Sequence, residues 1–250
     1  MQDSKMMSAD PYGNESSLGH LPEGKRWAFD ESVAACFEDM LKRSIPDYQK
    51  MRDLSTSMAC HFAREGSFIL DLGCSDGLSL QPVIEAKGDA CRYVGVEVSA
   101  PMIERAEKRF EGMEGIVSIQ NVDLRKDFPD VLPSVVLSIF TLQFLPIEYR
   151  QHILRRAYES MLKGGCLILA EKVIGACQKI DDLLLQEYLR MKGDHGYSQE
   201  EIERKRQSLE GVLVPVTASW NEEMLKAVGF RQVECFWRCL NFAAWVAIKE

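Results

Sequence analysis

The chain has 250 residues, 46% of them hydrophobic, and a formal net charge of −8. That is enough for one α/β domain with a substantial core, and no apolar run reaches the length of a membrane span. The acidic balance argues against a tight nucleic-acid ligand, whose phosphates call for a basic face; the only dense basic cluster is Arg204-Lys205-Arg206.

Residues 1–25 are rich in Ser, Gly, Asp and Asn without periodicity and are expected to form a mobile arm, leaving 26–250 as a single domain. No charged-then-apolar signal pattern opens the chain, so a soluble, cytoplasmic protein is expected. From Asp30 to Arg43, Val33, Phe37, Met40 and Leu41 share one helical face. Ser44 to Tyr48 breaks that helix, and a second is expected from Tyr48 to Arg64. Strands then alternate with helices: strand Phe68 to Leu72, helix Leu78 to Glu85, strand Tyr93 to Val96, helix Pro101 to Phe110, strand Ile116 to Ile119. Val135 to Phe140 is almost wholly apolar, as a central parallel strand is. A helix over Ile147 to Leu162 is expected to end at Lys163-Gly164-Gly165, followed by strand Cys166 to Ala170. Past Glu171 three helical stretches follow, Asp181–Met191, Ser198–Leu209 and Ser219–Val228, the first two inside a helical insertion of about 174–215. Arg231–Trp237 and Phe242–Ile248 close the chain as an antiparallel hairpin. The pattern predicts a doubly wound, mostly parallel seven-stranded Rossmann-like sheet. The eight cysteines are scattered, with no C-x-x-C pair and no Cys/His cluster, so reduced core thiols and no metal site are expected.

"ILDLGCSDG", Ile69 to Gly77, fits two chemistries. Gly73-Cys74-Ser75-Asp76-Gly77 matches G-x-S-x-G, the turn that presents a hydrolase's serine. That reading needs a downstream acid and histidine and an upstream oxyanion loop. Only His152 and His195 lie downstream, in polar helical contexts, and no glycine-rich segment precedes the loop. The same residues also read as strand, acidic Asp71, then a loop over Gly73, Cys74 and Ser75 that lets a cofactor approach the backbone. Glu97, ending the next strand, is placed for ribose hydroxyls, and Asp123 after the third strand for an adenine edge. A dinucleotide loop wants G-x-G-x-x-G, which fails here, and Asp76 would repel a pyrophosphate. S-adenosyl-L-methionine carries no phosphate, and the terminal hairpin resembles that of class I methyltransferases.

"FDESVAACFEDMLKRSIPDY", "DLGCSDG", "FTLQFLP", "AEKV", "GYSQEEIERKRQSLEGVL" and "FWRCLNFAAWVAIK" together resemble the carboxy-S-adenosylmethionine synthases, in order from Trp27 to Lys249. The resemblance implies a homodimer in which prephenate loses carbon dioxide to the methyl carbon of adenosylmethionine. Phenylpyruvate remains, and the carboxy-S-adenosyl-L-methionine serves a second enzyme acting on tRNA wobble uridine. Carried over by position, the cofactor contacts are Tyr48, Asp71, Gly73, Cys74, Ser75, Glu97, Val98, Asp123, Leu124 and Ile139, and the arginine for the new carboxylate is Arg206. The chain departs from the family at three places. Glu97-Val98 stands for Asp-Asn, Val122-Asp123-Leu124 for Gly-Asp-Ile, and Ile139 for an asparagine.

Arg206 also has an argument of its own. It lies four after Ile202 and three before Leu209, on the expected apolar stripe of a helix opened by a Ser198–Glu201 capping box. There its planar fork would suit a carboxylate, or it would form a structural ion pair or snorkel to solvent; Arg204 and Lys205 are expected in solvent. Tyr48 reads equally as cofactor contact or packing. Trp220, Trp237 and Trp245 read as core more than cage, Gln143 as a residue aimed into the site, and Glu171 and Lys172 as substrate contacts or a mutual pair. Three functions stay open: a carboxy-adenosylmethionine synthase, a conventional methyltransferase of a small molecule, and a binding module that keeps the cofactor. A copurifying carboxylated nucleoside would favour the first, S-adenosyl-L-homocysteine the second.

Overall fold

A computed structural model describes residues 26–250; the arm expected over 1–25 lies outside them. The first helical stretch is two helices, α1 (Glu31–Ala35) and α2 (Phe37–Ser44), with the break at Cys36. Asp30 caps α1 by accepting the Val33 N–H. Helix α3 (Tyr48–Phe62) leads into β1 (Phe68–Leu72), α4 (Gln81–Lys87), β2 (Arg92–Glu97), α5 (Ala100–Arg109), β3 (Val117–Asn121) and β4 (Pro133–Ile139). Then come α6 (Ile147–Ser160), β5 (Cys166–Ile174), α7 (Gln178–Asp194), α8 (Gln199–Leu209), β6 (Val216–Thr217), α9 (Ala218–Val228), β7 (Gln232–Cys239) and β8 (Phe242–Ile248).

The sheet runs β3-β2-β1-β4-β5-β8-β7, with the two-residue β6 beside β5, so there is one strand more than the seven expected. Strands β1 to β5 are parallel, and β8 is antiparallel to both β5 and β7. The uninterrupted apolar run of β4 has its explanation here. Val136 packs with Leu70, Leu167 and helices α6 and α9, while Val135 and Leu137 pack on the other face with Ile69, Val83 and Ile168. Both faces are covered, so no position of that strand tolerates a solvated side chain.

Strand β5 runs to Ile174, four residues past its expected end, because Val173 and Ile174 pair with β6 and Glu171 and Lys172 pair with β8. Glu171 and Lys172 are therefore neighbours on opposite faces and do not pair with each other. The predicted capping box of α8 is present, with both Ser198–Glu201 bonds formed. Helices α1, α2 and α8 pack over the loops that follow β1 and β2 through Trp27, Phe37, Leu78, Met102 and Ile202. The Trp27 N–H donates to Ser208 O at 2.9 Å, tying the first described residues to α8. This cap covers the carboxyl ends of the strands, where open α/β sheets place their ligands.

The eight cysteines are free thiols, with Cys74, Cys91 and Cys166 buried and Cys177 exposed. Among the described residues, no helix is long and apolar enough to cross a membrane.

Candidate functional site

Sequence chemistry at the end of β1 forces the backbone open. Gly73 has φ +72°, and a Cβ there would press on the Thr141 side chain, whose Oγ1 would lie at 2.7 Å. The Gly73 and Cys74 N–H groups both donate to Val96 O, at 2.8 and 2.9 Å, clamping the loop to β2. Ser75 is also left-handed, φ +49°, and its N–H donates to Glu97 Oε2 at 3.1 Å. Glu97 Oε1 accepts from the Val98 and Ser99 N–H groups at 2.7 and 3.0 Å. Glu97 is thus held at the strand end by the backbone while it faces the cleft. Among the described residues Ser75 has no histidine partner, and His195 is engaged with Arg43 O.

Asp71 lies behind the loop, 1% exposed, with one carboxylate oxygen unpartnered. Burial, with a smaller push from Glu97, raises its pKa to about 8. Asp76 corrects the repulsion expected from the sequence: Arg109 pairs with its carboxylate at 2.7 Å and also holds its carbonyl, so its charge is already matched. Asp123 is held at about 2, chiefly by its side-chain bonds to Arg125.

The cleft has two compartments. Glu97, Val98, Asp123, Leu124 and Thr141 line the first, closed by Phe29 and Phe144, whose rings meet edge to face at 5.1 Å. Tyr48, Cys74, Ile139, Phe140, Lys172, Lys205 and Phe242 line the second. Trp27, Phe29, Gly73, Ser75, Phe140 and Phe144 belong to both. The residues expected to hold the cofactor are therefore brought together, with Asp71 underneath rather than at the surface of the cleft.

Arg206 is not among them. Its side chain is 61% exposed and pairs with Glu203 at 2.8 Å, while the neighbouring Lys205 is buried. At about 100° per residue, Ile202, Lys205, Ser208 and Leu209 define the inward face and Arg206 stands roughly a quarter turn off its centre. The expectation that put Arg206 on the apolar stripe and Lys205 in solvent is reversed.

The other candidates separate. Gln143 is buried and spends its Oε1 on the Lys172 N–H at 2.8 Å, bracing β5. Glu171 accepts the Leu142 and Gln143 N–H groups, both at 2.9 Å, fixing the 3-10 turn Leu142–Phe144 that walls the cleft. Burial raises its pKa to about 8 against the pull of Arg150. Trp245 is core, its indole N–H bonded to Glu222 at 3.0 Å. Trp27 and Phe29, which both wall the two compartments, went unassigned in the sequence. Neither has periodic apolar neighbours, and only the position of Trp27 at the start of the family resemblance marked it.

The chain matches a methyltransferase-domain family model over residues 69–165. A carboxy-S-adenosyl-L-methionine synthase of Wolinella succinogenes is 39% identical over 90% of this chain and 94% of its own length. The protein of the same name from Methylococcus capsulatus is 35% identical over 89% and 93%. The chain belongs to the carboxy-S-adenosyl-L-methionine synthase family. Two solved structures share its fold at low identity. One is an O-methyltransferase family protein of Burkholderia thailandensis, with TM-score 0.62, 16% identity and coverage of 96% of this chain and 63% of that one. The other is human N-acetylserotonin methyltransferase in complex with SAM, with TM-score 0.52, 16% identity and coverage of 94% and 66%.

As a member of this synthase family, the chain is a transferase that uses S-adenosyl-L-methionine. The residues fit that cofactor. The bare Gly73 backbone admits a close-lying chain, the Phe29 and Phe144 rings suit a flat base, and the Glu97 carboxylate at the end of β2 offers acceptors to ribose hydroxyls.

Proposed function

We propose that the protein makes carboxy-S-adenosyl-L-methionine from S-adenosyl-L-methionine and prephenate. The observation that carries this is the 39% identity to a synthase of that name across nearly the full length of both chains. Glu97 holds the ribose hydroxyls, Asp123 and Leu124 the base, and Tyr48, Gly73, Cys74, Ser75 and Ile139 the methionine end, with Val98 at the rim and Asp71 beneath. When bound, adenosylmethionine supplies the methyl carbon that receives the carboxyl group. Prephenate gives up carbon dioxide and its ring hydroxyl, the methyl group gives up one proton, and that proton leaves with the hydroxyl as water; phenylpyruvate remains. The chain's own part is to hold the partners close and keep water out. Trp27 and Phe242, 6% and 4% exposed, form walls suited to that.

The same reading makes the protein a cytoplasmic homodimer that supplies a tRNA wobble-uridine enzyme. The exposed apolar side chains Ile180, Leu183 and Leu185 on α7 support a self-contact. Arg206 keeps its role as the receptor of the new carboxylate only across such a contact, where an exposed fork on α8 meets a second copy's cleft.

The test is incubation with adenosylmethionine and prephenate. Formation of a nucleoside heavier by one carbon dioxide, in step with phenylpyruvate, is expected. Prephenate-independent transfer of the methyl group to a small acceptor, with release of S-adenosyl-L-homocysteine, would replace the proposal with plain methyl transfer, a reading favoured by the apolar Val98 and Ile139 where the family is polar.

A further inference from the structure

Lysines without counter-ions among the described residues stand at the second compartment: Lys172 and Lys205 line it, Lys192 lies behind them, and burial pushes the pKa of each down. Lys172 comes from β5, Lys192 from α7 and Lys205 from α8. Lys192 and Lys205 are 4% and 9% exposed. None of the three is in an ion pair among the described residues. Their neighbours are ring faces. Lys172 Nζ lies 4.8 Å from the Tyr188 ring centre, Lys192 Nζ 4.7 Å from that of Tyr197, and Lys205 Nζ 5.4 Å from that of Trp27. Lys205 also donates to Ser44 Oγ at 3.0 Å. Asp181 and Glu201 act on Lys172 and Lys192 only from beyond ion-pair distance.

Ring faces recover only part of what desolvating an ammonium group costs, and like charges sharing two tyrosines repel one another. A fold that needed only packing here would use apolar side chains. The Trp27 indole N–H adds a second signature: it is buried, without a partner among the described residues, and belongs to a ring that lines the cavity. Two lysines and one donor around an aromatic-walled space describe a receptor for an anion with an apolar body. The enclosure excludes a polymer's phosphate, since Lys205 is almost sealed from solvent.

We propose that Lys172 and Lys205, with the indole N–H of Trp27, form the receptor for a small dianionic second substrate carrying an apolar ring, Lys192 adding its field through the shared tyrosines. The proposal rests on the cofactor occupying the Glu97 compartment. It assigns Lys172 and Lys205 to the second substrate and leaves Arg206 to the carboxylated product.

The test uses the full chain saturated with S-adenosyl-L-homocysteine, titrated calorimetrically with benzylmalonate, with 3-phenylpropionate and with sulfate. The dianion is expected to bind best. Lys172→Met and Lys205→Met are each expected to weaken benzylmalonate about thirtyfold or more, the loss for truncating one partner of a desolvated charge pair. Adenosylmethionine affinity should change little, and the exposed Lys226→Gln should change neither. Thermal midpoints of the two Met variants should hold or rise, because an unpaired buried charge is replaced by an apolar chain of similar length. The receptor is overturned if wild type ignores benzylmalonate, if sulfate binds as well as the dianion, if the Met variants bind it normally, or if they lose both ligands equally. Lysine-dependent benzylmalonate binding without prephenate turnover would remove the synthase reading alone. Prephenate turnover untouched by either Met variant would remove the receptor alone.

Discussion

Replacing Glu97 separates its two duties. Its carboxylate accepts three backbone N–H groups, from Ser75, Val98 and Ser99, and still faces the compartment assigned to ribose. Glu97→Ala removes the charge-assisted bonds to the ribose hydroxyls, worth about 1.5–3 kcal/mol, so adenosylmethionine affinity should fall roughly 10- to 150-fold. The same substitution frees the Ser75 N–H, and with it the left-handed turn that follows Gly73, so some stability is lost as well. Glu97→Gln keeps one acceptor oxygen and should fall between wild type and alanine in affinity while retaining most of the stability. Isothermal titration of adenosylmethionine, paired with urea unfolding, reads both quantities. An alanine variant that is folded and binds adenosylmethionine as tightly as wild type would show that the strand-two carboxylate is a loop clamp only, and the cofactor assignment at β2 would fail.

Four other outcomes are expected. Asp71 has its pKa raised from an ordinary 3.8 to about 8 in the folded chain, so its contribution is complete below about pH 4 and is lost as pH rises through about 8. Asp71→Asn should therefore raise the urea midpoint more at pH 8 than at pH 5; an equal gain at both would contradict a buried, proton-holding carboxyl. Ser75 should stay unlabelled by a fluorophosphonate, and labelling there would restore a hydrolase. Glu171→Ala strips the acceptor from two buried N–H groups and should cost roughly 2–6 kcal/mol, at about 1–3 kcal/mol for each donor left unpaired; a loss under about 1 kcal/mol would refute its bracing role. Arg206→Ala should leave the melting temperature unchanged, since the Glu203 pair is exposed. At concentrations where the proposed homodimer would form it should weaken carboxy-S-adenosyl-L-methionine about thirtyfold or more with little effect on adenosylmethionine, and equal losses would dismiss it as the carboxylate receptor.

The strands were legible because burial on both faces leaves a continuous apolar run, as in Val135 to Leu137, and because each cofactor-side carboxylate sits where such a run stops. The cap was harder to read. Helix α8 carries Lys205 and Arg206 side by side, and periodicity measured from Ile202 places both near the apolar edge. What decides between them is the packing of Trp27 against α8, a contact made across more than a hundred residues. Chain spacing carries no information about such contacts. The extension of β5 was hidden for a similar reason: Glu171 and Lys172 look like a polar strand end until β8 supplies their partners.

Trp27 is one of four rings, with Phe29, Phe140 and Phe144, that stand in the wall of both compartments, and its backbone is fastened to α8. Any displacement of that ring by an occupant of one compartment alters the shape the other occupant meets. The two ligands are then linked thermodynamically, and the linkage is symmetric: the factor by which the first changes the affinity of the second equals the factor in the reverse order. Softening the ring to leucine would bring that factor toward unity even where each ligand alone still binds.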